Sequence, residues 1–359
     1  MNFLNRRLLL TIALTATGFL VAIALSNQNA KVLKMTNAIQ AMPMKTLCIG
    51  RFLLDVPQKA VVSHRRSSLA GWDISSWKEA ETQFDMVQEE ALVSLKTQRN
   101  SQGEISFDSV RDIRQGDLHG RILVFDRKRL ERYVDDAKKV EYFVSVRARV
   151  HSQGNTYEFY SEIATDKEID ELEKILKQIT WRAENHIPEQ AGFCFNGGLL
   201  GEPLSANQAE FTGVFIGLES NPDVAISLHS LAGIDPGKTL LQRDAANGIK
   251  LQYFSRFHTL REGSRSLNGI AGEEILERVD EPNGSTLQSF IWESLSKKDD
   301  VYLPNLILEF STGHGKPGGR VNSSMSDAEA LALWEKISGS LRRRPVQPVE
   351  TASAVQKGT

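Results

Sequence analysis

Apolar positions after residue 43 alternate with polar ones in some stretches and recur at helical spacing in others. Alternation over Tyr142 to Val150 and Thr156 to Ile163, on either side of Ser152-Gln153-Gly154-Asn155, predicts a β-hairpin. A second pair of strands, Phe211 to Leu218 and Val224 to Leu231, flanks a turn-forming Asn-Pro-Asp sequence. Strand pairs joined by short turns are antiparallel, so the pattern predicts antiparallel sheets.

The helical spacing occurs in three longer stretches. One runs from about residue 78 to 99, and its predicted buried face is Ala80, Phe84, Val87, Ala91 and Leu95. The other two each close a run of strands, with predicted faces of Ile169, Leu172, Leu176 and Ile179, and of Ala330, Leu333, Trp334, Ile337 and Leu341. A single strand is predicted over Leu47 to Val56, and a short helix beginning at Asp235-Pro236. Runs of strands followed by a helix are typical of α+β proteins.

One short pattern occurs twice, starting at each of the two cysteines. From Cys48 and from Cys194 the chain reads Cys, four residues, Leu-Leu, two residues and Pro. The two predicted closing helices also begin alike, because Thr165 and Ser326 each precede a Glu by three residues, which is the capping-box pattern. The cysteines are 146 positions apart and the capping residues 161. Similar offsets at both ends of a unit indicate two related modules, from an internal duplication with an insertion in the second copy.

The predicted fold is therefore α+β, with two related modules that each pack helices on an antiparallel sheet. A chain of 359 residues is long enough for two such domains. The predicted boundaries are 1–25 for an export or anchor segment, 26–43 for a tether, 44–187 and 188–344 for the two modules, and 345–359 for a disordered tail.

The N-terminal residues predict targeting rather than folded structure. Arg6-Arg7 precedes 18 uncharged residues from Leu8 to Leu25, a helix of about 27 Å that approaches the thickness of a bilayer core. No clear cleavage site precedes Ser26, which favours an inner-membrane anchor over an exported and cleaved signal peptide. Positive flanking charge stays in the cytoplasm, so the body is predicted to be periplasmic. A true start at Met44, giving a cytosolic protein, is the open alternative.

Charge and motifs exclude several classes of function. The 43 basic and 45 acidic residues are balanced, so no basic excess recruits nucleic acid. No Gly-x-Ser-x-Gly elbow is present. The glycine-rich segment from Gly313 to Arg320 fails as a phosphate loop because Pro317 occupies the place of the Ser or Thr. The seven histidines are scattered singly, without a metal-binding spacing. The sequence therefore predicts no catalytic residue, metal or cofactor.

The two cysteines allow two interpretations. In an oxidising compartment Cys48 and Cys194 could form a disulfide between the heads of the two modules. Each could equally be a small buried apolar residue in its own module.

The cysteine-containing heads resemble one family. The run from Met44 to Pro57, together with Ala191-Gly192-Phe193-Cys194 and Gly197-Gly198, is similar to immunity proteins that neutralise type VI secretion lipase effectors of the fourth class. The resemblance spans nearly all of residues 44 to 344. It implies a two-domain α+β protein of the periplasm that binds and blocks a toxic phospholipase, and it offers no catalytic residues to carry over.

Inhibition by binding needs a complementary surface rather than a reactive group. The loops that differ between the two copies are the candidate contacts, at residues 71–78, 297–302 and 313–320. The side chains predicted to bind the partner are Trp72, Trp77, Lys297, Asp299, Asp300, His314, Lys316 and Arg320. Core packing is the alternative role of the two tryptophans.

Two other classes of function stay open at this point. An envelope-anchored hydrolase with a dispersed active site would place polar groups with displaced pKa values in one cleft. A structural envelope protein would need neither such a cleft nor a partner enzyme. An inhibitor would present a broad surface that carries few such groups.

Overall fold

A computed structural model describes residues 34–134, 137–202, 204–205, 208–316 and 319–346. The predicted export segment, the first part of the tether and most of the tail lie outside the described residues. Among the residues it does describe, no helix is long and apolar enough to cross a membrane.

The first half of the chain contains ten strands and two helices after a helical stretch over 34–41. In order they are β1 Met44–Ile49, β2 Phe52–Pro57, β3 Val61–His64, β4 Ser67–Leu69, β5 Trp72–Lys78, α1 Glu81–Thr97, β6 Phe107–Gln115, β7 Leu118–Val134, β8 Ala137–Ser152, β9 Asn155–Ala164, α2 Asp166–Leu176 and β10 Ile179–Trp181.

The second half repeats much of this order. Its elements are β11 Gly192–Phe195, β12 Gly198–Gly201, β13 Glu210–Leu218, β14 Asn221–Ala232, α3 Leu240–Ala245, α4 Gly248–Gln252, a 3-10 turn Phe254–Arg256, β15 Phe257–Ser264, β16 Gly272–Asp280, β17 Thr286–Ser294, β18 Asn305–Ser311, α5 Asp327–Ser338 and β19 Arg342–Arg343.

One large antiparallel sheet runs through both halves, which confirms the predicted α+β class. From one edge its strand order is β15-β16-β17-β18-β14-β13-β4-β5-β9-β8-β7-β6, with β3 also paired to β13. Read from each outer edge inward, both halves follow the same order of equivalent strands. The halves meet where β3 and β4 line up along β13, so the sheet continues across the boundary.

The inner face of this sheet carries two hydrophobic cores. In the first half α2 buries Ile169, Leu172 and Leu176, and in the second α5 buries Ala330, Leu333, Trp334 and Ile337. These residues are those that the helical spacing predicts, because periodic apolar positions on a capped helix identify its buried side directly. Ile179 is buried too, but it lies in β10 rather than in the helix.

The two cysteine-containing patterns are β-hairpins. β1 and β2 pair across the turn Gly50-Arg51, with Cys48 opposite Leu53, and β11 and β12 pair with Cys194 opposite Leu199. The prediction of one strand over Leu47 to Val56 is therefore wrong, since Gly50 adopts a φ of 58° that reverses the chain. The predicted start of a helix at Asp235 is wrong as well, because the helix begins after Thr239, whose hydroxyl caps it.

Each hairpin is extended to a three-stranded sheet by a strand that comes from the other half of the chain. β10, at the end of the first half, pairs with β12 of the second hairpin, and β19, at the end of the second half, pairs with β2 of the first. Backbone bonds in both directions join Gly50 and Cys194, each with an N···O distance of 2.8 Å. Cys48 and Cys194 form a disulfide at this point, with their Cα atoms 5.8 Å apart.

Buried arginines complete the seam between the halves. Arg51 donates to both carboxylate oxygens of Glu210, at 3.1 and 2.7 Å, and to Glu202 at 2.6 Å. Arg182 and Arg344 follow the two exchanged strands and donate only to carbonyls in and around the connecting segment 183–192, namely those of Ala183, Glu184, His186 and Phe195, and of Pro188, Gln190 and Gly192.

The extra length of the second half lies between β18 and α5. From the start of β9 to that of β18 the offset is 150 residues, and from Thr165 to Ser326 it is 161. The loop over 312–325 therefore contains the difference, where the first half has a single residue, Thr165, between strand and helix.

Both predicted capping boxes are present, and they give a first testable expectation. The hydroxyls of Thr165 and Ser326 accept from the backbone amides of Glu168 and Glu329, whose carboxylates bond back. Thr165→Ala or Ser326→Ala should each lower the free energy of unfolding by about 1 kcal/mol, measured by urea denaturation. Thr97→Ala, which removes a hydroxyl bonded only to carbonyls of its own helix, should change it by less than about 0.5 kcal/mol. Equal losses for all three variants would contradict the capping argument.

Candidate interaction surface

The outer face of the large sheet is covered at both ends and open in the middle. At one end α1 rests on it through Phe84, which packs against His119 and His151 at ring-centroid distances of 5.5 and 5.1 Å. At the other end the amide of Leu241 in α3 bonds Glu273 of β16 at 2.9 Å. The strands between these helices leave their outward side chains accessible. We call this region the central sheet face, comprising the outward residues of β9, β5, β4, β13, β14 and β18 together with Arg65 and Arg66.

Aromatic side chains and an arginine lie at its middle, where the two halves join. Phe211 and Phe215 project from β13, and Phe215 is 48% exposed. The guanidinium of Arg65 stands 5.4 and 5.5 Å from their ring centroids, and His229 of β14 stacks on Phe211 at 6.3 Å. A depression of about 440 Å³ is lined by this group and by Arg66. Aromatic residues and arginine are the side chains that most often dominate binding energy at protein interfaces.

Charges of both signs surround the aromatic group. Arg66 pairs with Asp73 at 3.3 Å, and both side chains are exposed. Arg147 lies over the ring of Tyr160 at 5.7 Å. Burial, together with the charge of Arg65, lowers the pKa of His229, and its Nδ1 is buried without a hydrogen-bond partner. At neutral pH the middle of the face is therefore apolar and aromatic, with charges of both signs around it.

A second exposed apolar group lies in the second half, in the segment that precedes the edge strand β15. In α4 and the 3-10 turn, Ile249, Leu251, Tyr253 and Phe254 are exposed within six residues of sequence, and Phe254 is 75% exposed. The segment is fixed to the sheet by Lys250, which pairs with Asp244 at 2.5 Å and with Glu277 at 2.7 Å. Large apolar side chains held outward by ion pairs beneath them are typical of an interaction site.

The structure separates the residues that the sequence predicts as partner contacts. Trp72 is 3% exposed and belongs to the core of the first half. It faces inward because side chains alternate along β5, so its core-packing alternative fits the structure. Trp77 lies on the outer face, is 37% exposed and stacks on the guanidinium of Arg149 at 5.5 Å.

The other predicted contacts lie in two separate loops. Lys297 and Asp299 are exposed, and Asp300 accepts from the amide of Tyr302 at 2.9 Å, which makes that loop a local turn. In the other loop, at the far end of β18, His314 bonds Ser311 at 2.7 Å and Arg320 at 3.3 Å, and Lys316 is exposed. Among the described residues, no contact joins these two loops to each other, and none joins either loop to Trp77.

Residues 249–254 and the aromatic pair on β13 were not predicted as contacts. Phe211 and Phe215 look like ordinary strand residues in sequence, since alternation does not reveal which face stays uncovered. In residues 249–254 the apolar positions Ile249, Leu251 and Tyr253 alternate with polar ones, a pattern typical of a half-buried strand that gives no sign of an exposed helix.

Within the described ranges, no group of three or more His, Cys, Asp or Glu side chains is arranged to hold a metal ion. The titratable groups with displaced pKa values are spread over the seam and several ion pairs.

Comparison with known proteins connects this architecture to one family. The family model described as the Tle cognate immunity protein 4 N-terminal domain matches residues 45–182, and the model of its C-terminal domain matches 186–346. The apo structure of immunity protein TplEi of T6SS from Pseudomonas aeruginosa aligns with a TM-score of 0.70 at 24% identity, covering 86% of this chain and 100% of that one. A crystal structure of a Tle4-Tli4 complex aligns at 0.69 and 24% identity, covering 85% and 98%. No curated protein matches the sequence.

Proposed function

The chain belongs to the Tle cognate immunity protein 4 family, and on that basis we propose that it binds and inhibits a cognate phospholipase effector of a type VI secretion system. The observation that carries this proposal is the match of both family domains, in order, across residues 45–182 and 186–346. A relative of the same fold was solved together with Tle4. Binding by complementary surfaces, without a catalytic group of its own, is the proposed mode of inhibition.

The central sheet face is the proposed effector contact, and residues 249–254 are a second candidate contact nearer the outer edge of the same sheet. It spans both halves, so one rigid sheet presents contacts from each domain to the same partner. A stable complex buries about 1,600 Å² in total, and a face six strands wide, at about 4.8 Å per strand, is wide enough to supply one partner's share. The aromatic pair under Arg65 supplies the desolvated centre that strong interfaces need.

The location proposed for this protein is the periplasm, with residues 8–25 tethering it to the inner membrane or directing export before cleavage. Two observations support it: the apolar segment after Arg6-Arg7 and the disulfide between Cys48 and Cys194, since disulfides persist in oxidising compartments. Fractionation of cells expressing a C-terminally tagged chain tests it. Recovery of the protein in the cytosol would contradict the proposal.

Internal duplication is the proposed origin of the two halves. The support is their common strand order, their matching hairpins and capping boxes, and the exchange of equivalent strands β10 and β19. Superposition of β4–β9 on β13–β18 should carry the first hairpin close to the second. Halves that do not superimpose would point to separate origins.

Coexpression tests the function directly. We expect a lipase-like reading frame beside this gene. Cells that export its product should stop growing, and the full-length chain should restore growth and copurify with that lipase. The purified chain alone should hydrolyse no phospholipid. Failure of the chain to restore growth would contradict the proposal. Lipid hydrolysis by the chain itself would favour the hydrolase alternative.

Substitutions on the central sheet face should weaken binding without unfolding the protein. Phe215→Ala removes an aromatic ring that is already half exposed, so we expect about a tenfold loss of effector affinity by calorimetry with little change in thermal stability. Leu130→Ala is the matched control, because Leu130 is 50% exposed on the long β7–β8 hairpin, away from the central sheet face. Equal losses for both variants would place the contact elsewhere.

A further inference from the structure

A cavity of about 210 Å³ lies in the seam between the two halves. Its walls come from the first hairpin, the segment before the second hairpin and the end of β19. Three arginines, Arg51, Arg343 and Arg344, line it together with Tyr302. The remaining wall is apolar or backbone, and no carboxylate lines the cavity.

Two carboxylates pair with Arg51. Glu210 holds its Nε and Nη2, and Glu202 holds its Nη1. Tyr302 covers the guanidinium plane at 4.7 Å, and its hydroxyl lies 3.3 Å from Nη1. The acidic partners therefore fix the guanidinium of Arg51, and neither of them is a lining residue of the cavity.

Arg344 lines the cavity as a buried cation. The residue is 5% exposed, and its guanidinium donates to three backbone carbonyls. An arginine has five N–H donors, and the buried Nε of Arg344 has no partner. Burial and the charges of Arg51 and Arg182 lower the pKa of Arg344 to about 10. The hydrogen bonds of this cation go to backbone carbonyls, and the charge of Glu202 offsets part of the effect of its burial. A further anion in the cavity would stabilise it.

We propose that this cavity binds a carboxylate, whose oxygens face the cations of Arg51, Arg343 and Arg344. A planar carboxylate matches the paired donors of a guanidinium. The apolar wall formed by Phe52 and Val346 suits a short hydrocarbon body behind the carboxylate. The carboxylate could belong to a free small acid or to an acidic side chain of a bound partner.

The test is an NMR titration of the full-length protein labelled at arginine Nε, with sodium acetate as the probe and sodium chloride as the ionic-strength control. The Nε–H signal of Arg344, identified by its loss in Arg344→Lys, should shift saturably with a Kd of about 1–10 mM. Arg343→Gln, a change at an exposed residue, should weaken acetate binding about threefold without altering thermal stability. Arg66→Gln, on the opposite face, should leave the Kd unchanged.

Three results would overturn the proposal. The first is an Arg344 signal that does not move with acetate, the second is an equal shift with chloride, and the third is tighter binding of inorganic phosphate than of acetate. Given a saturable shift, addition of the effector identifies the source of the carboxylate. Displacement of acetate by the effector indicates a side chain of the partner, and retention of acetate in the complex indicates a free acid. The titration itself requires no effector, so its result is independent of the proposed inhibition.

Discussion

Replacement of Arg51 by alanine should lower the free energy of unfolding by about 3–5 kcal/mol, because it leaves a buried carboxylate without its cation. The side chains of Arg51 and Glu210 are 6% and 5% exposed. Burial by itself would lower the pKa of Arg51, but its hydrogen bonds and ion pairs with Glu210 and Glu202 outweigh burial and raise the pKa above its usual value. The ion pair is thus a structural part of the seam.

Urea denaturation of Arg51→Ala and of Arg51→Ala combined with Glu210→Gln would measure this effect. The double variant should recover part of the loss, since it no longer buries an unpaired charge. Arg66→Ala is the matched control, because its pair with Asp73 is exposed, and it should cost less than about 1 kcal/mol. A loss for Arg51→Ala no larger than that of the control would show that the buried pair contributes little.

Removal of the disulfide by Cys48→Ala with Cys194→Ala should destabilise the protein by about 2–5 kcal/mol. The bond closes a loop over a sequence separation of 146 residues, for which the chain-entropy model gives about 5 kcal/mol. The exchanged strands and the Gly50–Cys194 backbone bonds already hold the hairpins together, so the measured value should lie below that limit.

Reductant provides the control for this experiment. Dithiothreitol should lower the unfolding midpoint of the natural chain to near that of the double variant and leave the double variant unchanged. Thiol counting on the protein purified from cells, denatured without reductant, should find no free thiol. Two free thiols would show that the cysteines are unpaired in the cell.

Local patterns predicted the elements whose signal lies within a few residues. The capping boxes at Thr165 and Ser326 and the buried faces of α2 and α5 follow from side-chain chemistry at fixed spacing. The hairpin at Gly50-Arg51 was missed because both of its strands are buried, so no alternation marks the turn. The repeated cysteine pattern located the two heads correctly but could not show that each takes its third strand from the other half.

The candidate surface depended on information that sequence patterns do not contain. Whether Phe215 is covered is decided by where α1 and α3 rest on the sheet, and that placement depends on long-range contacts such as Gln88 to the Arg149 carbonyl and Leu241 to Glu273. Trp72 was proposed as a contact from its residue type, yet its position in β5 points it into the core. Residue type predicts what can bind, and only the tertiary arrangement decides what is accessible.

The exchange of β10 and β19 also bears on the order in which this protein can be completed during its synthesis. The first hairpin obtains its third strand from Arg342 and Arg343, which leave the ribosome after nearly all of the chain. Until then the edge of β2 lacks its neighbour, while the second hairpin can close as soon as it emerges, because β10 precedes it. The N-terminal half therefore cannot complete its fold during synthesis, because the last step of assembly requires strand β19 near the C-terminus.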